Sequence, residues 1–372
     1  MSSRKKILFF VPLPPPITGA GLRNKSLVES RLLNDSFLIK VIPFNFAGEV
    51  DDIGRFSISK IIKSIGRAFL ILSRVITFKP HLVYFNFSLY GFALYRDTLY
   101  TALFKILGCR LLFHLRTQGV KKQIRESVFK RMIFRFVFRN SHVICLSGYM
   151  ARDIEDVYKG EPIIVNNGIE DVSPRFPTKN ILSGDIVSIL FVGHLWKFKG
   201  IIELIDALKI LKSDGVNFNA SIVGPEGDLL VDDLKKMIEV LGLNDSIQIL
   251  GTKEGDEKHQ IFRDADIFVL PTHWEAFPGV VLEAMQFSLP VIATREGAIP
   301  EIIDDEVTGL LIRKQDAADL AEKLRRLVAD PKLRESMGGE GRLKFVRKYS
   351  LNLFEQNIKE AFDHVLDVGD NK

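Results

Sequence analysis

Apolar residues in this chain gather in short runs, most of them continuous, instead of alternating regularly with polar ones. The first half has such runs at residues 7–11, 37–42, 82–85, 111–115, 142–146 and 163–165. The second half has them at 186–192, 219–223, 247–250, 267–270, 290–293 and 309–312. Strands covered on both faces produce runs of this kind, and the helically spaced stretches between them predict α/β units with parallel sheets. A chain of 372 residues is longer than one hydrophobic core usually spans. Two α/β domains are therefore expected, residues 1–175 and 183–348, joined by a linker marked by Pro174, Pro177 and Thr178-Lys179-Asn180. Residues 349–372 form a third piece, with a helix expected over 352–366 that is apolar at Leu353, Phe354, Ile358, Phe362 and Val365.

The loops at the strand ends carry the candidate chemistry, because an open α/β sheet binds ligands outside the carboxyl ends of its strands. After the first run comes a loop over 12–21, ahead of a helical pattern from Leu27 to Leu33, and its Gly19 and Gly21 make a plausible phosphate or sugar cradle. A nicotinamide fingerprint needs a third glycine where Asn24 stands, which disfavours an oxidoreductase. The run at 267–270 is followed by Pro271-Thr272-His273-Trp274-Glu275-Ala276-Phe277-Pro278-Gly279-Val280-Val281-Leu282-Glu283, which sets two carboxylates eight residues apart. Pro278 suits the first turn of a helix and Gly279 permits close backbone approach, so an anion would meet the N–H groups of Phe277–Val280 with an acidic acceptor on either side.

Composition narrows the function. Two cysteines, Cys109 and Cys145, both within apolar runs, predict buried reduced thiols and a cytoplasmic protein. No apolar window reaches membrane-spanning length, and the short basic N-terminus is unlike a signal peptide. The net charge of +5 hides an asymmetry: residues 1–180 carry 28 Lys and Arg against 13 Asp and Glu, and residues 181–372 carry 23 against 33. The cations of the first half concentrate with apolar residues in 56–69 and 121–139. This pattern fits helices lying on an anionic membrane. Nucleic acid is disfavoured, since no recognised binding motif accompanies the charge. Asp264-Ala265-Asp266 imitates a metal-binding Asp-x-Asp but reads as a helix end entering a strand, and no metal cluster is expected.

Glu275 and Glu283, with Phe277 and Gly279 between them, resemble the E-x7-E motif of retaining glycosyltransferases of family 4. Leu289-Pro290-Val291-Ile292-Ala293, Gly297, Pro300-Glu301-Ile302-Ile303 and Thr308-Gly309-Leu310-Leu311 follow in the family's order. The resemblance implies the GT-B fold, two Rossmann-like domains whose parallel sheets face each other across a cleft, with the final helix crossing back to the first domain. It implies a nucleotide-diphosphate sugar as donor, with no metal and no other cofactor. Glu275 would hold the donor sugar and Glu283 the ribose. Lys199-Gly200 resembles the end of the family's phosphate-binding element, in which Lys199 neutralises the leaving diphosphate. His194 stands where the family has an arginine, leaving the missing charge to His194, Lys197, Arg23 or Arg116. Gly224 resembles a glycine near the nucleotide. His114 resembles a histidine facing the donor, with Arg116 as the alternative in that position. The acceptor implied is lipid-linked or a polysaccharide in cell-surface glycan synthesis, which would place the protein on the inner face of the cytoplasmic membrane. A sugar-nucleotide epimerase on the same fold and a non-catalytic membrane-associated subunit are the alternatives.

Overall fold

The computed structural model describes residues 4–15, 18–44, 58–176 and 186–370, with the side chains of 58–65 and 368–370 excepted. The linker expected at Pro177–Asn180, Pro16 of the first loop, and much of the basic stretch 56–69 lie outside what is described. The chain forms two compact units, residues 1–167 with 352–372, and residues 168–351. The boundary falls earlier than 175 because residues after Asn167 are held by the second unit. There Ile169 donates its N–H to the Tyr349 carbonyl, and Val172 donates to Gln286 Oε1 at 3.0 Å.

The first sheet consists of β1 (Lys6–Val11), β2 (Leu38–Pro43), β3 (Leu82–Phe85), β4 (Leu111–Leu115), β5 (His142–Cys145) and β6 (Ile163–Ile164), all parallel in the order β2-β1-β3-β4-β5-β6. The second consists of β7 (Val187–Val192), β8 (Phe218–Val223), β9 (Ile247–Gly251), β10 (Ile267–Leu270), β11 (Val291–Thr294) and β12 (Gly309–Ile312), all parallel in the order β12-β11-β10-β7-β8-β9. Each apolar run of the sequence is a strand. The inner strands β3, β4, β10 and β11, and β12 at an edge, are buried along their whole length, as coverage of both faces by helices requires.

Each order reverses once, between β1 and β3 in the first sheet and between β7 and β10 in the second. At such a point the connections leave in opposite directions and open a crevice at the carboxyl ends of the strands. In the first unit the aromatic core of Phe9, Tyr84 and Phe37 meets Phe362 of the last helix, Leu351–Asp370. That helix starts one residue before the expected range and ends beyond it. The helix after β1 departs more. It begins at Gly19, where the Thr18 hydroxyl accepts the Gly21 N–H at 3.0 Å, so the two glycines lie in a first helical turn and not in a loop. The pattern from Leu27 to Leu33 breaks at Ser30, whose hydroxyl caps a second helix, Arg31–Ser36. Cys145 is buried and Cys109 only half-buried, and burial pushes the two thiols up to about 12 and about 11.

Candidate functional site

The second unit gathers its polar side chains where the strand order reverses. From β7 the chain runs through Gly193 and His194 to a single 3-10 turn, Lys197–Lys199, and then into the helix Ile201–Ser213. From β10 it runs through Pro271 to Glu275 and into the helix Gly279–Gln286. The two loops are clamped together. His273 donates its N–H to the Phe198 carbonyl at 2.7 Å, and the Thr272 hydroxyl donates to the same oxygen at 3.2 Å. Gly200 has φ +79, and a Cβ there would lie 2.0 Å from the Pro271 carbonyl oxygen, so no other residue lets the loops approach this closely. Gly224, after β8, is similarly constrained: its φ is +149 and a Cβ would stand 1.9 Å from the Gly193 oxygen.

The clamp puts Lys199 Nζ 2.6 Å from Glu275 Oε2, with both side chains 17% exposed. The ammonium also lies 5.4 Å from the Phe198 ring centroid. Glu283 occupies the fifth position of the helix Gly279–Gln286 and is equally half-buried. Lys258 sits astride its carboxylate, 3.0 Å from Oε1 and 2.8 Å from Oε2. Both motif carboxylates are thus part-buried and ion-paired with a lysine, and Glu275 also accepts the Ala276 N–H at 3.2 Å. Pro278 precedes this helix as its cap residue and not as part of its first turn. Phe277 is buried with its edge toward Tyr349, and the backbone of Gly279 and Val280 forms the helix start.

His194 lies flat on Trp196, with ring centroids 4.5 Å apart at 12°, and Trp196 in turn stacks on Phe198 at 5.2 Å. A guanidinium is absent from this position, and the imidazole there is fixed by aromatic packing. Sequence reasoning missed three participants here: Lys258, the Trp196 stack, and a pair in which His273 Nε2 lies 2.8 Å from Glu203 Oε1. Lys258 and Glu203 sit on separate helices, so no spacing rule connects them to their partners. Trp196 was visible as an aromatic two residues from His194 and two from Phe198, the spacing of an extended strand face.

Asp266 donates its backbone N–H to the Ser188 carbonyl and accepts the Ser188 N–H on its carboxylate at 2.8 Å. It ties β10 to the start of β7, at the far end of the sheet from these groups.

The first unit treats its own reversal differently. His114, on β4, is completely buried. Its Nδ1 lies 2.6 Å from the Tyr84 hydroxyl, and its Nε2 has no hydrogen-bond partner. Burial, and then the charge of Arg116, hold its pKa well below the ordinary histidine range, so the ring is neutral. Arg116, two residues on, is part-buried. It donates to Asn167 Oδ1 at 2.5 Å and to Asn24 Oδ1 at 3.4 Å, and its guanidinium lies 5.6 Å from the Phe354 ring. Asn24 donates to the Pro12 carbonyl and to Asn86 Oδ1, closing the gap between β1 and β3. Gly19 faces open space, and Gly21 packs against Thr18 and Pro14.

Residues 174–344 match the family model described as Glycosyl transferases group 1. That segment belongs to the family. The chain is 32% identical over 249 residues to an uncharacterized glycosyltransferase of Methanocaldococcus jannaschii, covering 66% of each chain. It is 30% identical over 209 residues to the capsular polysaccharide biosynthesis glycosyltransferase CapM of Staphylococcus aureus, covering 56% of this chain and 52% of CapM. The chain therefore spans between about half and two thirds of the length of these curated relatives. The crystal structure of Anabaena HepE in complex with UDP superposes with a TM-score of 0.73 over 97% of this chain and all of that one, at 17% identity, which shows the GT-B fold. The Lys199–Glu275 pair, Glu283 and the clamp between the β7 and β10 loops all lie within the segment that matches the group 1 model.

Proposed function

We propose that this chain transfers a sugar from a nucleotide-diphosphate sugar to an acceptor hydroxyl, with retention of anomeric configuration. The observation that carries the reading is the Lys199–Glu275 pair at the strand reversal, next to a helix start and one helix turn and a half from Glu283. Glu275 accepts hydroxyl donors of the sugar and Glu283 those of the ribose. The diphosphate lies between them, against the N–H groups around Phe277 to Val280 and beside Lys199. As the glycosidic bond breaks, the sugar becomes oxocarbenium-like and charge grows on the leaving phosphate. Lys199 and the helix start stabilise that charge, and the leaving phosphate takes the proton of the acceptor hydroxyl as the new bond forms, so no side chain needs to act as a dedicated base. Neither a metal nor another cofactor is required by this scheme. His194 adds to the site a flat imidazole stacked on Trp196 in place of a forked arginine. The role of CapM in capsule biosynthesis and the UDP bound by HepE support a nucleotide-diphosphate donor and a glycan acceptor, one carried on lipid or growing as polysaccharide at the inner face of the cytoplasmic membrane.

The test is a screen of nucleotide sugars for binding and slow hydrolysis. Hydrolysis or transfer of one donor is the expected result. Epimerised donor would turn the reading to an epimerase, and binding of no donor would turn it to a non-catalytic subunit, the reading that the absence of arginine at His194 favours.

A further inference from the structure

The first unit carries an apolar surface that its own core does not use. The helices Gly91–Ile106 and Val128–Phe138 cross from β3 to β4 and from β4 to β5, in the same direction, and so lie side by side on one face of the sheet. Tyr95 stacks on Phe129, and Lys105 donates to the Phe136 and Arg139 carbonyls, so the two helices run parallel in register. Each has a second apolar stripe opposite its buried one. In the first, Leu94, Tyr100 and Phe104 are buried, while Leu99 is 71% and Ile106 82% exposed. In the second, Ile133, Phe134, Val137 and Phe138 are buried, while Val128 is 73%, Phe129 62% and Met132 64% exposed, with Phe136 beyond them. In the second unit the exposed apolar side chains Ile186, Leu230, Val240, Trp274 and Val307 are scattered, and Leu343 and Val346, at 46% each, form no more than a pair one turn apart on one helix. A row of large apolar side chains on neighbouring helices marks an interaction site.

The charges around it select the occupant. Residues 91–139 hold eleven Lys and Arg and two acids. Of the acids, Asp97 is fully buried and paired with Arg96, which leaves Glu126 at the surface. Lys122, Arg125, Arg135 and Arg139 are exposed around the stripe. A second copy of the chain would bring the same cations against these. A bilayer with anionic headgroups offers both an apolar layer and the opposite charge.

We propose that this helix pair inserts its apolar stripe into an anionic membrane, with Leu99, Ile106, Phe129 and Met132 below the headgroups and the cations at their level. The proposal rests on the reading of a lipid-borne acceptor, and its test is independent of turnover. Full-length protein is sedimented with phosphatidylcholine vesicles with and without phosphatidylglycerol, at low salt and at about 1 M salt, where the Debye length falls to about 3 Å and surface charge attraction is screened. Binding to the anionic vesicles with a fraction retained in high salt is expected. In a Phe129→Trp variant, the added indole should be quenched by lipids brominated on the acyl chain. The triple variant Leu99→Gln, Ile106→Gln, Met132→Gln should lose on the order of a thousandfold or more in partition, as expected from leaving three apolar side chains out of the bilayer, while keeping the wild-type melting temperature. Complete release by salt with no quenching would reduce the contact to surface charge and overturn insertion. A dimer in sedimentation equilibrium that the triple variant abolishes would make the stripe an interface between copies, and capture of an acidic protein with no vesicle binding would make it a protein site. Donor hydrolysis measured on the same samples separates the two readings: vesicle binding without any donor turnover leaves the surface and sinks the transferase, and turnover without vesicle binding does the reverse.

Discussion

The two units reverse strand order in the same way and finish the reversal in opposite ways. In the second unit the motif carboxylates beyond β10 are part-buried and ion-paired, Glu275 with Lys199 and Glu283 with Lys258. In the first unit the equivalent ends of β1, β3 and β4 are closed by a buried network of Asn24, Asn86, Tyr84 and His114, with Arg116 as its part-exposed edge. An ion pair that keeps some contact with solvent can exchange one partner for a ligand that compensates the charge left behind. A buried, mutually bonded network resists such exchange, since every broken bond leaves a desolvated group. The second unit thus leaves charged side chains in part-exposed pairs at its reversal, whereas the first closes the same topological position with a buried network.

The largest effect that would break this comparison is expected at the two carboxylates. Losing a hydrogen-bond partner of a charged group costs about 1.5–3 kcal/mol, roughly ten- to a hundredfold. Glu275→Gln should lower turnover by that factor or more while free nucleotide binds nearly as before, and Glu283→Ala should do the opposite. Equal responses of nucleotide affinity, read by calorimetry, would undo the separate sugar and ribose roles. Next comes Lys199→Ala, expected to weaken binding of the sugar diphosphate about tenfold or more for loss of a charged contact. The melting temperature should move little, because Glu275 keeps the Ala276 N–H and some contact with water. A large loss of stability with unchanged donor affinity would instead make Lys199 part of the scaffold.

A smaller effect sharpens the other side of the comparison. The unfolded chain takes up a proton on His114 near its ordinary pKa of 6.5, and the folded chain refuses it because burial depresses the folded value. The unfolded state then binds more protons, so stability present above about pH 6.5 is lost as pH falls, by at most ~1.4 kcal/mol per pH unit. Urea denaturation from about pH 7 to pH 5 should show this slope in wild type and a shallower one in His114→Gln. Parallel slopes would mean that the ring is solvated. The smallest effect is expected at Gly19→Ala. The added methyl meets nothing within 4 Å in a helical first turn, so stability should stay within about 0.5 kcal/mol of wild type or rise. At Gly200 the same change would drive a Cβ into the Pro271 carbonyl and part the two loops of the site.

The sequence by itself determined the twelve strands, the α/β class and the place of the E-x7-E segment after β10, because strands covered on both faces leave short, mostly apolar runs that end in loops. Local capping was less legible. The hydroxyls of Thr18 and Ser30 start helices inside a pattern whose apolar spacing alone reads as loop and then one helix. Tertiary structure alone decided the partners: Lys258 on Glu283, Glu203 on His273, Asn24 on Asn86, and the burial of His114 beside an accessible Arg116. It also decided which of the apolar residues in 121–139 face the core and which face out, since Val128, Phe129, Met132 and Phe136 are as apolar as the buried Ile133, Phe134 and Val137. Periodicity fixes which residues share a helix face. Only the packing of that helix on the sheet determines which face is buried, and pairs between residues many positions apart exist only once the loops have been brought together.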